Sequence, residues 1–244
     1  MMSQSSTNKS KKLTSSDSVY IKLRAMIDNL ELFPGARITE TEIADMLSVS
    51  RTPIREALQR LQLEGQVDVI PKQGCFIRNI DIDVINKFYD VRVTLEAQTV
   101  ELACEAMPAE LLESIMAEWS PENIKNDYVH HIKTIRNQEE SFHLNIAAGS
   151  GNHILGRYLE DVNNNIRVVR WLGFPDIESI RDTYEEHFEL CQIIQSGNKR
   201  LARSAMKKHI QKSQKLSKKV TLQQLAEHRD QYLKDQLTKE VRVK

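Results

Sequence analysis

Apolar side chains recur at spacings of three and four residues almost without interruption from Ile85 to about residue 217. That period indicates amphipathic α-helices, and no stretch of alternating apolar and polar residues competes with it. Glycine- and proline-containing breaks divide the segment into six predicted helices: residues 85–107, a short helix from 108, then 122–149, 152–172, 177–196 and 198–217. Because such helices bury their apolar faces against one another, residues 81–217 are predicted to form an all-α helical bundle.

Residues 18–80 carry shorter elements. After a first amphipathic helix, the capping box of Thr39 and Glu42 opens a second one. The residues of this second helix predicted to face inward are Ile43, Met46 and Leu47. A third helix has Pro53 in its first turn, where the missing N–H costs nothing, and two strands follow at 67–70 and 75–78. This order predicts an N-terminal winged helix-turn-helix with a small β-hairpin, and the unpatterned residues 1–17 are predicted to be a disordered arm.

The third helix carries Arg51, Thr52 and Arg55 near its N-terminal end, on the side opposite its apolar stripe. In a winged helix-turn-helix this end meets base edges in the major groove, and arginine can donate two hydrogen bonds to guanine. The hairpin tip, which contains Lys72 and Gln73, can reach an adjacent groove or phosphates. Two arginines on a helix are usually solvated surface, but the coincidence of cap, short turn and Arg/Thr/Arg sequence favours DNA binding.

The formal net charge of zero conceals an uneven distribution of charge. Residues 1–80 carry 11 basic and 9 acidic side chains, residues 81–194 carry 9 and 21, and residues 195–244 carry 14 and 4. The acidic middle excludes wholesale wrapping by nucleic acid, because phosphate binding needs clustered Lys and Arg. Any DNA binding therefore belongs to a small dedicated module. Residues 218–244 are predicted to form a basic C-terminal helix or tail, which is either a solvated surface or an aid to DNA binding.

The cellular compartment follows from features that the chain lacks. No apolar run approaches the roughly 18 residues of a membrane-spanning helix, so no membrane partner is expected. The polar start has no hydrophobic core of a secretory signal. Cys75, Cys104 and Cys191 are odd in number and widely spaced, which fits reduced thiols. A cytoplasmic protein is therefore expected.

Three predicted helices each direct one histidine toward the interior of the bundle: His143, His187 and His209. Glu139 lies one helical turn before His143 on the same side. Three imidazoles and one carboxylate suit a divalent ion such as Zn, Ni or Mn and leave positions open for water or a ligand. A lone histidine on an apolar face is more often a hydrogen-bonded core residue, so a set of structural histidines is the alternative.

Residues 38–77 resemble the DNA-binding domain of GntR-type bacterial transcription regulators, above all in the sequence Ser50-Arg51-Thr52-Pro53-Ile54-Arg55-Glu56-Ala57-Leu58. The resemblance implies homodimers on palindromic operators in double-stranded DNA. It also implies the following DNA-binding residues: Thr41, Arg51, Thr52, Arg55, and Gly74 in the wing beside Lys72 and Gln73. Thr41 stands where many relatives carry arginine, so its contact is expected to be weaker or absent.

Residues 85–217 resemble the all-helical effector domain of the FadR branch of that family. The matching landmarks are Phe142-His143, Glu186-His187, Met206-x-x-His209 and Arg92-x-x-Leu95-Glu96. Many such domains hold a metal through one Asp and three His, and the metal binds a carboxylate effector. Carried over, the ligands are Glu139, His143, His187 and His209, with Glu139 in place of the usual Asp. Arg92 either pairs with the effector carboxylate or forms an intrahelical salt bridge with Glu96.

The sequence therefore predicts a homodimeric, cytoplasmic transcription regulator, expected to be a repressor, whose helical domain senses a small organic acid through a divalent metal. It is not expected to be an enzyme. Two alternatives remain open at this point. One is a metal-dependent hydrolytic enzyme fused to a DNA-binding head, because His₃–carboxylate sites can activate water. The other is a metal-free helical dimerisation module with structural histidines.

Overall fold

A computed structural model of the chain describes residues 14–71, 73–124, 128–171, 177–218, 224–227, 230 and 234. The chain divides into two compact units, one up to Asn79 and the other from Ile80. Within the described ranges, no helix is both long and apolar enough to cross a membrane.

The N-terminal unit is a winged helix-turn-helix, as predicted. Its elements in chain order are α1 (Ser15–Asp28), β1 (Arg37–Ile38), α2 (Glu40–Leu47), α3 (Arg51–Leu63), β2 (Val67–Ile70) and β3 (Gly74–Ile77). The strands form an antiparallel sheet in the order β1-β3-β2. Strand β1 was not predicted, because two residues are too few to show a period. It exists only through its pairing with β3, Arg37 with Phe76 and Ile38 with Cys75.

Three local predictions in this unit were wrong. The disordered arm was predicted to reach residue 17, but α1 begins at Ser15 because Thr14 and Asp17 form a capping box; residues 1–13 lie outside the described ranges. The second hairpin strand runs from Gly74 to Ile77 and not from 75 to 78, because its pairing with β2 begins at Gly74. Met46 is 56% exposed, since the short α2 packs on the core through Ile43.

The core of the N-terminal unit joins α1 to α3. Leu23 on α1 and Ile54 and Leu61 on α3 are fully buried in one apolar cluster. At the edge of this cluster, Glu64 accepts hydrogen bonds from the Tyr20 hydroxyl at 2.8 Å and from Arg24 Nη1 at 2.7 Å. The third helix is therefore anchored along its inner face and at its C-terminal end, and its opposite face is left to solvent.

The second unit is a helical bundle. Its described elements are α4 (Ile82–Ala106), α5 (Ala109–Glu118), a 3₁₀ turn (Pro121–Asn123), α6 (Tyr128–Gly149), α7 (His153–Trp171), α8 (Ile177–Gln195) and α9 (Lys199–Ser217). Helix α4 packs against α6, α7, α8 and α9, so its inner face supplies the centre of the unit. The predicted third helix of this bundle, 122–149, was too long at its start, because the 3₁₀ turn at Pro121–Asn123 precedes α6.

The basic segment 218–244 lies mostly outside the described residues. Residues 224–227 are helical, and Leu225 within them is 1% exposed. A helix there agrees with the sequence-based expectation as far as the described residues reach. The contribution of this segment to DNA binding stays a prediction.

Candidate functional site

The connection between α2 and α3 presents the N-terminal end of α3 to solvent. Ser48 ends α2 in the left-handed conformation, at φ 54° and ψ 44°. The next amide, of Val49, donates to the Ala44 carbonyl at 3.2 Å, and α3 begins at Arg51. This tight turn places Arg51 and Thr52 in the first turn of α3 with exposed side chains.

Arg55, one turn further along α3, is paired across the turn with Glu40 on α2. Its Nε lies 2.8 Å from each oxygen of the Glu40 carboxylate, and its side chain is 62% exposed. The hydrogen bond that Arg55 donates to Glu40, followed by the charge of that carboxylate, raises the pKa of Arg55. Thr41, the neighbour of Glu40, is also exposed. The structure thus leaves four of the predicted DNA-binding residues, Thr41, Arg51, Thr52 and Arg55, open to solvent, and Glu40 is a partner that the sequence reasoning missed.

The tip of the wing is tied back to strand β1. Arg37 Nε donates to the Gln73 carbonyl at 2.8 Å. Gly74 has φ +114°, a conformation that L-amino acids rarely adopt, and a Cβ there would stand 3.1 Å from Arg37 Nε. Lys72, predicted to lie at the tip, falls outside the described residues. Arg37 was not singled out from the sequence, because a single basic residue in a two-residue strand carries no pattern.

A buried polar cluster occupies the centre of the helical unit. His143 on α6, His187 on α8 and His209 on α9 each offer a ring nitrogen, and the three nitrogens lie within 4.8 Å of one another. His187 Nε2 and His209 Nε2 are 3.2 Å apart. Two nitrogens bound to one divalent ion at about 2.1 Å each stand about 3 Å apart, so this spacing fits a shared ion. The structure brings together the three histidines that the sequence proposed as ligands.

Carboxylates behind two of the rings set their orientation. His143 Nδ1 is hydrogen-bonded to Glu96, and His209 Nδ1 lies 2.6 Å from Glu186 Oε2. In metal sites, a carboxylate on one ring nitrogen typically directs the other nitrogen at the ion. The role of Glu186 was missed by the sequence reasoning, although its position immediately before His187 was noted.

The third imidazole, of His187, is held by aromatic packing. It stacks on Phe142 with ring centroids 3.7 Å apart and meets Trp119 edge-on at 4.2 Å. Within the described part of the chain, His187 Nδ1 is buried without a hydrogen-bond partner, and an ion bound at Nε2 of that ring would leave it so; His143 Nε2 is also buried without a hydrogen-bond partner and is free to bind an ion. An unpartnered buried polar atom is costly, and a metal ion would relieve that cost for a nitrogen. The donor set therefore fits a divalent cation.

Glu139 lies beside the cluster and is shared between several groups. Its Oε1 is 3.2 Å from His143 Nε2, and its other oxygen forms an ion pair with Arg170 on α7. Arg170 also donates to Asn163 Oδ1 at 3.0 Å. The sequence contained a signal for Arg170 that was not used: Asn163 and Arg170 interrupt the apolar stripe of α7 that includes Ile166.

Arg92 forms the intrahelical pair that the sequence left open as an alternative. Its Nε lies 2.6 Å from Glu96 Oε1, and both side chains are excluded from solvent. Its Nη2 stands 3.8 Å from Glu139 Oε1. Arg92 is not among the residues that line the cavity of about 240 Å³ beside the cluster, and a direct contact between Arg92 and an effector stays a prediction.

Burial controls the protonation of this cluster. It lowers the pKa of His143 and His209, and that of His187 well below its usual value, so the rings favour the neutral form that binds metals. Burial alone would raise the pKa of Glu96, but the charge of Arg92 and the contact with His143 outweigh it and lower the pKa to about 2. Burial, followed by the charge of Arg92, lowers the pKa of Arg170 to about 9.

A cavity of about 240 Å³ adjoins the histidine cluster. Its wall includes His209 and Glu139 from the cluster, together with Arg170. The remaining lining residues are Tyr89, Val169, Ser179, Asp182, Thr183, Glu186, Lys212, Ser213, Leu216 and Ser217. Lys212 Nζ is paired with Asp182 at 2.9 Å and with Glu186 at 2.6 Å. The arrangement can hold a cation at the histidines and a small polar ligand beside it.

Two family models match the chain in the order of its two units. Residues 15–77 match the gntR family of bacterial regulatory proteins, and residues 87–212 match the FCD domain. The chain belongs to the GntR family of transcriptional regulators. The combination of the two domains places it in the FadR-type branch, as the sequence predicted.

This GntR regulator is similar to other regulators over most of its length. It is 30% identical over 193 residues to an HTH-type transcriptional regulator in an unstable DNA locus of Streptomyces ambofaciens, a match covering 79% of this chain and 80% of that protein. It is also 30% identical over 179 residues to the Nta operon transcriptional regulator of Aminobacter aminovorans, covering 73% and 83% of the two chains. Because this family consists of regulators and not enzymes, the hydrolytic-enzyme alternative is set aside.

Solved structures agree on the fold. A GntR regulator from Rhodococcus sp. RHA1 matches with a TM-score of 0.67 and 20% identity, covering 83% of this chain and 96% of that one. McbR/YncC of E. coli matches with a TM-score of 0.64 and 21% identity, covering 82% and 95%.

Proposed function

We propose that this GntR regulator binds a divalent metal ion through His143, His187 and His209, with Glu139 as a fourth ligand. The observation that carries the proposal is the convergence of three buried imidazoles, from three helices, beside a cavity. Glu139 Oε1 stands at a ligand-to-ligand distance from His143 Nε2, and Arg170 holds its other oxygen. Glu139 would therefore bind the metal ion through Oε1 alone. Its side chain is one methylene longer than that of the usual Asp, and the ion pair with Arg170 would fix its position. Nitrogen and carboxylate donors suit Zn, Ni or Mn.

The effector is proposed to be a small carboxylate that binds in the cavity only when the metal is present. The charged residues of the wall are Arg170, Lys212, Glu139, Asp182 and Glu186, three of them acidic and two basic, so the wall without a metal has no excess positive charge to attract an anion. A bound divalent ion supplies two positive charges and open coordination positions for a carboxylate. The volume is below the roughly 300 Å³ at which typical ligand pockets begin, which favours a small acid.

The direct partner of the effector carboxylate is proposed to be Arg170, because it lines the cavity and Arg92 does not. Within the described residues, Arg170 Nε and both Nη atoms of Arg92 are buried without a hydrogen-bond partner, so the choice of Arg170 rests on its place in the cavity wall. Arg92 would act one layer behind, where its charge keeps Glu96 ionised and thereby keeps His143 oriented.

On the DNA side, we propose that Arg51, Thr52 and Arg55 read operator bases, while Thr41 and the wing residues Gln73 and Gly74 contact the backbone. The first three residues lie on the N-terminal half of α3 and are exposed, as major-groove reading requires. The proposed site of action is the cytoplasm, where operator DNA is found. We expect a repressor, whose operator affinity changes when the effector favours one of two states of the dimer.

A homodimer on a palindromic operator completes the proposal. Val84 and Val91 lie seven residues apart on α4, hence on one side of it, and are 40% and 48% exposed. Apolar side chains at that spacing on an otherwise acidic domain suit a helix that packs against a second copy of the chain. Light scattering coupled to size-exclusion chromatography tests this part directly.

The metal and effector proposals are tested together on the full-length protein. Metal-depleted protein is titrated with Mn, Ni and Zn and then with a panel of small carboxylic acids, while thermal unfolding and binding to a selected operator duplex are followed. The expected result is binding of one metal ion per chain. The acid should then change the melting temperature and the operator affinity, and both changes should disappear when the metal is chelated. Equal acid binding without metal would overturn the dependence. Absence of any metal binding would favour the metal-free alternative, in which the 3.2 Å contact between His187 and His209 is an ordinary hydrogen bond.

A further inference from the structure

The ion pair between Glu40 and Arg55 occupies one particular nitrogen of the guanidinium. Both oxygens of Glu40 lie 2.8 Å from Arg55 Nε. No described residue accepts a hydrogen bond from Arg55 Nη1 or Nη2. The planar guanidinium is therefore held at its inner nitrogen, and its outer end is left open.

This arrangement selects one way of contacting a base. A guanidinium can present either its outer pair, Nη1 and Nη2, or its side pair, which includes Nε, to the O6 and N7 acceptors of guanine. Because Glu40 takes Nε, only the outer pair of Arg55 is free for a bidentate contact. The ion pair also restricts rotation of the Arg55 side chain, so this side chain loses less conformational entropy when DNA binds.

The carboxylate is not needed to cap α2. That function belongs to Thr39 and Glu42, whose side chains exchange hydrogen bonds with each other's backbone amides. Glu40 lies between them in sequence, yet its carboxylate crosses to α3. Its negative charge lies on the face that carries Thr41 and Arg55, where a regulator that depended on phosphate attraction alone would avoid an acid.

We propose that Glu40 is a positioning residue for DNA recognition, which holds Arg55 for base reading and reduces its attraction to phosphate. This inference rests on the proposed role of Arg55 in operator binding. Loss of the Glu40 carboxylate should therefore affect base discrimination and affinity for unrelated DNA differently. Discrimination at the base pair read by Arg55 falls, because the guanidinium can tilt toward a phosphate. Affinity for unrelated DNA is unchanged or rises, because one negative charge has left the surface.

The test begins with selection of duplexes from a randomised pool by the wild-type full-length protein, which yields an operator. Fluorescence anisotropy then compares that operator, each single base-pair variant of it and an unrelated duplex across a range of salt concentrations. Glu40→Gln is the main variant, since it keeps the size of the side chain, and Glu40→Ala is the second. The matched control is Glu42→Gln in the capping box, where glutamine can still accept from the Thr39 amide, so the cap is expected to hold and base discrimination to stay unchanged.

We expect Glu40→Gln to reduce discrimination about five- to tenfold at one base pair per half-site, without loss of affinity for unrelated DNA. Full discrimination at every base pair in both Glu40 variants would overturn the inference. So would an equal weakening on all duplexes accompanied by lost helicity, because that pattern marks a purely structural role. If the wild-type protein selects no sequence at all, it is the proposed DNA function that fails, and the two failures are thus distinguishable.

Discussion

Glu139 on α6 forms a buried ion pair with Arg170 on α7, 31 positions further along the chain. The pair lies at the boundary between the histidine cluster and the cavity, and Arg92 Nη2 is 3.8 Å from Glu139 Oε1, the oxygen that Arg170 does not hold. Two cationic and two anionic side chains, Arg92, Arg170, Glu96 and Glu139, therefore balance in the interior of the helical unit. The stability of this region depends on keeping that balance.

Removal of one member of the pair should cost much more than removal of both. Arg170→Met is expected to lower the free energy of unfolding by about 3–5 kcal/mol, because it leaves Glu139 charged and buried. The double variant with Glu139→Gln should recover part of that loss. Urea unfolding followed by circular dichroism measures both. Arg203→Met, which breaks the more exposed pair with Glu101, is the control and should cost about 1 kcal/mol or less. A double variant as unstable as the single one would contradict the prediction.

Metal affinity should depend on the carboxylate behind His209. Glu186→Gln is expected to weaken metal binding about 10- to 100-fold, since it removes the charged acceptor that orients the ring, and His187→Ala should abolish it. Isothermal titration calorimetry and elemental analysis of the dialysed protein measure the change. Glu185→Gln, an exposed neighbour on the same helix, is the control. Unchanged metal affinity in the Glu186 variant would contradict the proposal that Glu186 orients His209 toward the metal ion.

Stability of the N-terminal unit should decline in alkali through Cys75. All three cysteines are free, and Cys75 is buried in the sheet. Burial, followed by the charge of Asp68, raises its thiol pKa to about 11, above the value of 9.0 expected for an exposed thiol. The unfolded chain therefore loses this proton first, and stability is lost as pH rises from 9 toward 11.

The expected loss attributable to this thiol is about 2 kcal/mol by pH 11. The measurement is the pH dependence of unfolding for the wild type and for Cys75→Ala, in which the alkaline slope should be shallower. The comparison of slopes cancels the titration of other groups and the constant cost of the smaller side chain. Identical slopes in the two proteins would show that Cys75 does not titrate between these pH values.

Operator binding should weaken when either arginine at the start of α3 is truncated. Arg51→Ala and Arg55→Ala are each expected to cost about 1–3 kcal/mol on the selected operator and less on unrelated DNA, because their hydrogen bonds to bases are lost. Anisotropy titrations at several salt concentrations separate the two effects. The exposed Lys87 on α4 offers a charge-matched control, and Lys87→Ala should leave the operator affinity unchanged. Equal losses on both kinds of DNA would indicate phosphate contacts only.

Local interactions explain why so much of the fold could be predicted. The helix of Arg51 and Arg55 was predictable because its buried stripe repeats every three or four residues and Pro53 marks its first turn. The Thr39 capping box is likewise confined to four consecutive residues. Face assignments along a long helix are equally local, which is why His143, His187 and His209 were each correctly placed inside the bundle.

Pairings between distant elements could not be predicted in this way. Periodicity tells which face of a helix is buried, but it does not tell which residue of another helix lies opposite. The hydrogen bond between Glu186 and His209, the strand β1 formed by pairing with β3, and the contact of Glu40 with Arg55 all depend on how elements pack.

The sequence by itself therefore determined the helices, the winged helix-turn-helix and the inward faces of the three histidines, because these follow from spacing along one segment. Only the tertiary structure decided that Arg170 and not Arg92 lines the cavity, and that Glu139 forms an ion pair with the Arg170 guanidinium. The physical reason is that electrostatic partners and cavity walls arise from the approach of separate helices, whose relative rotation and depth no single segment encodes.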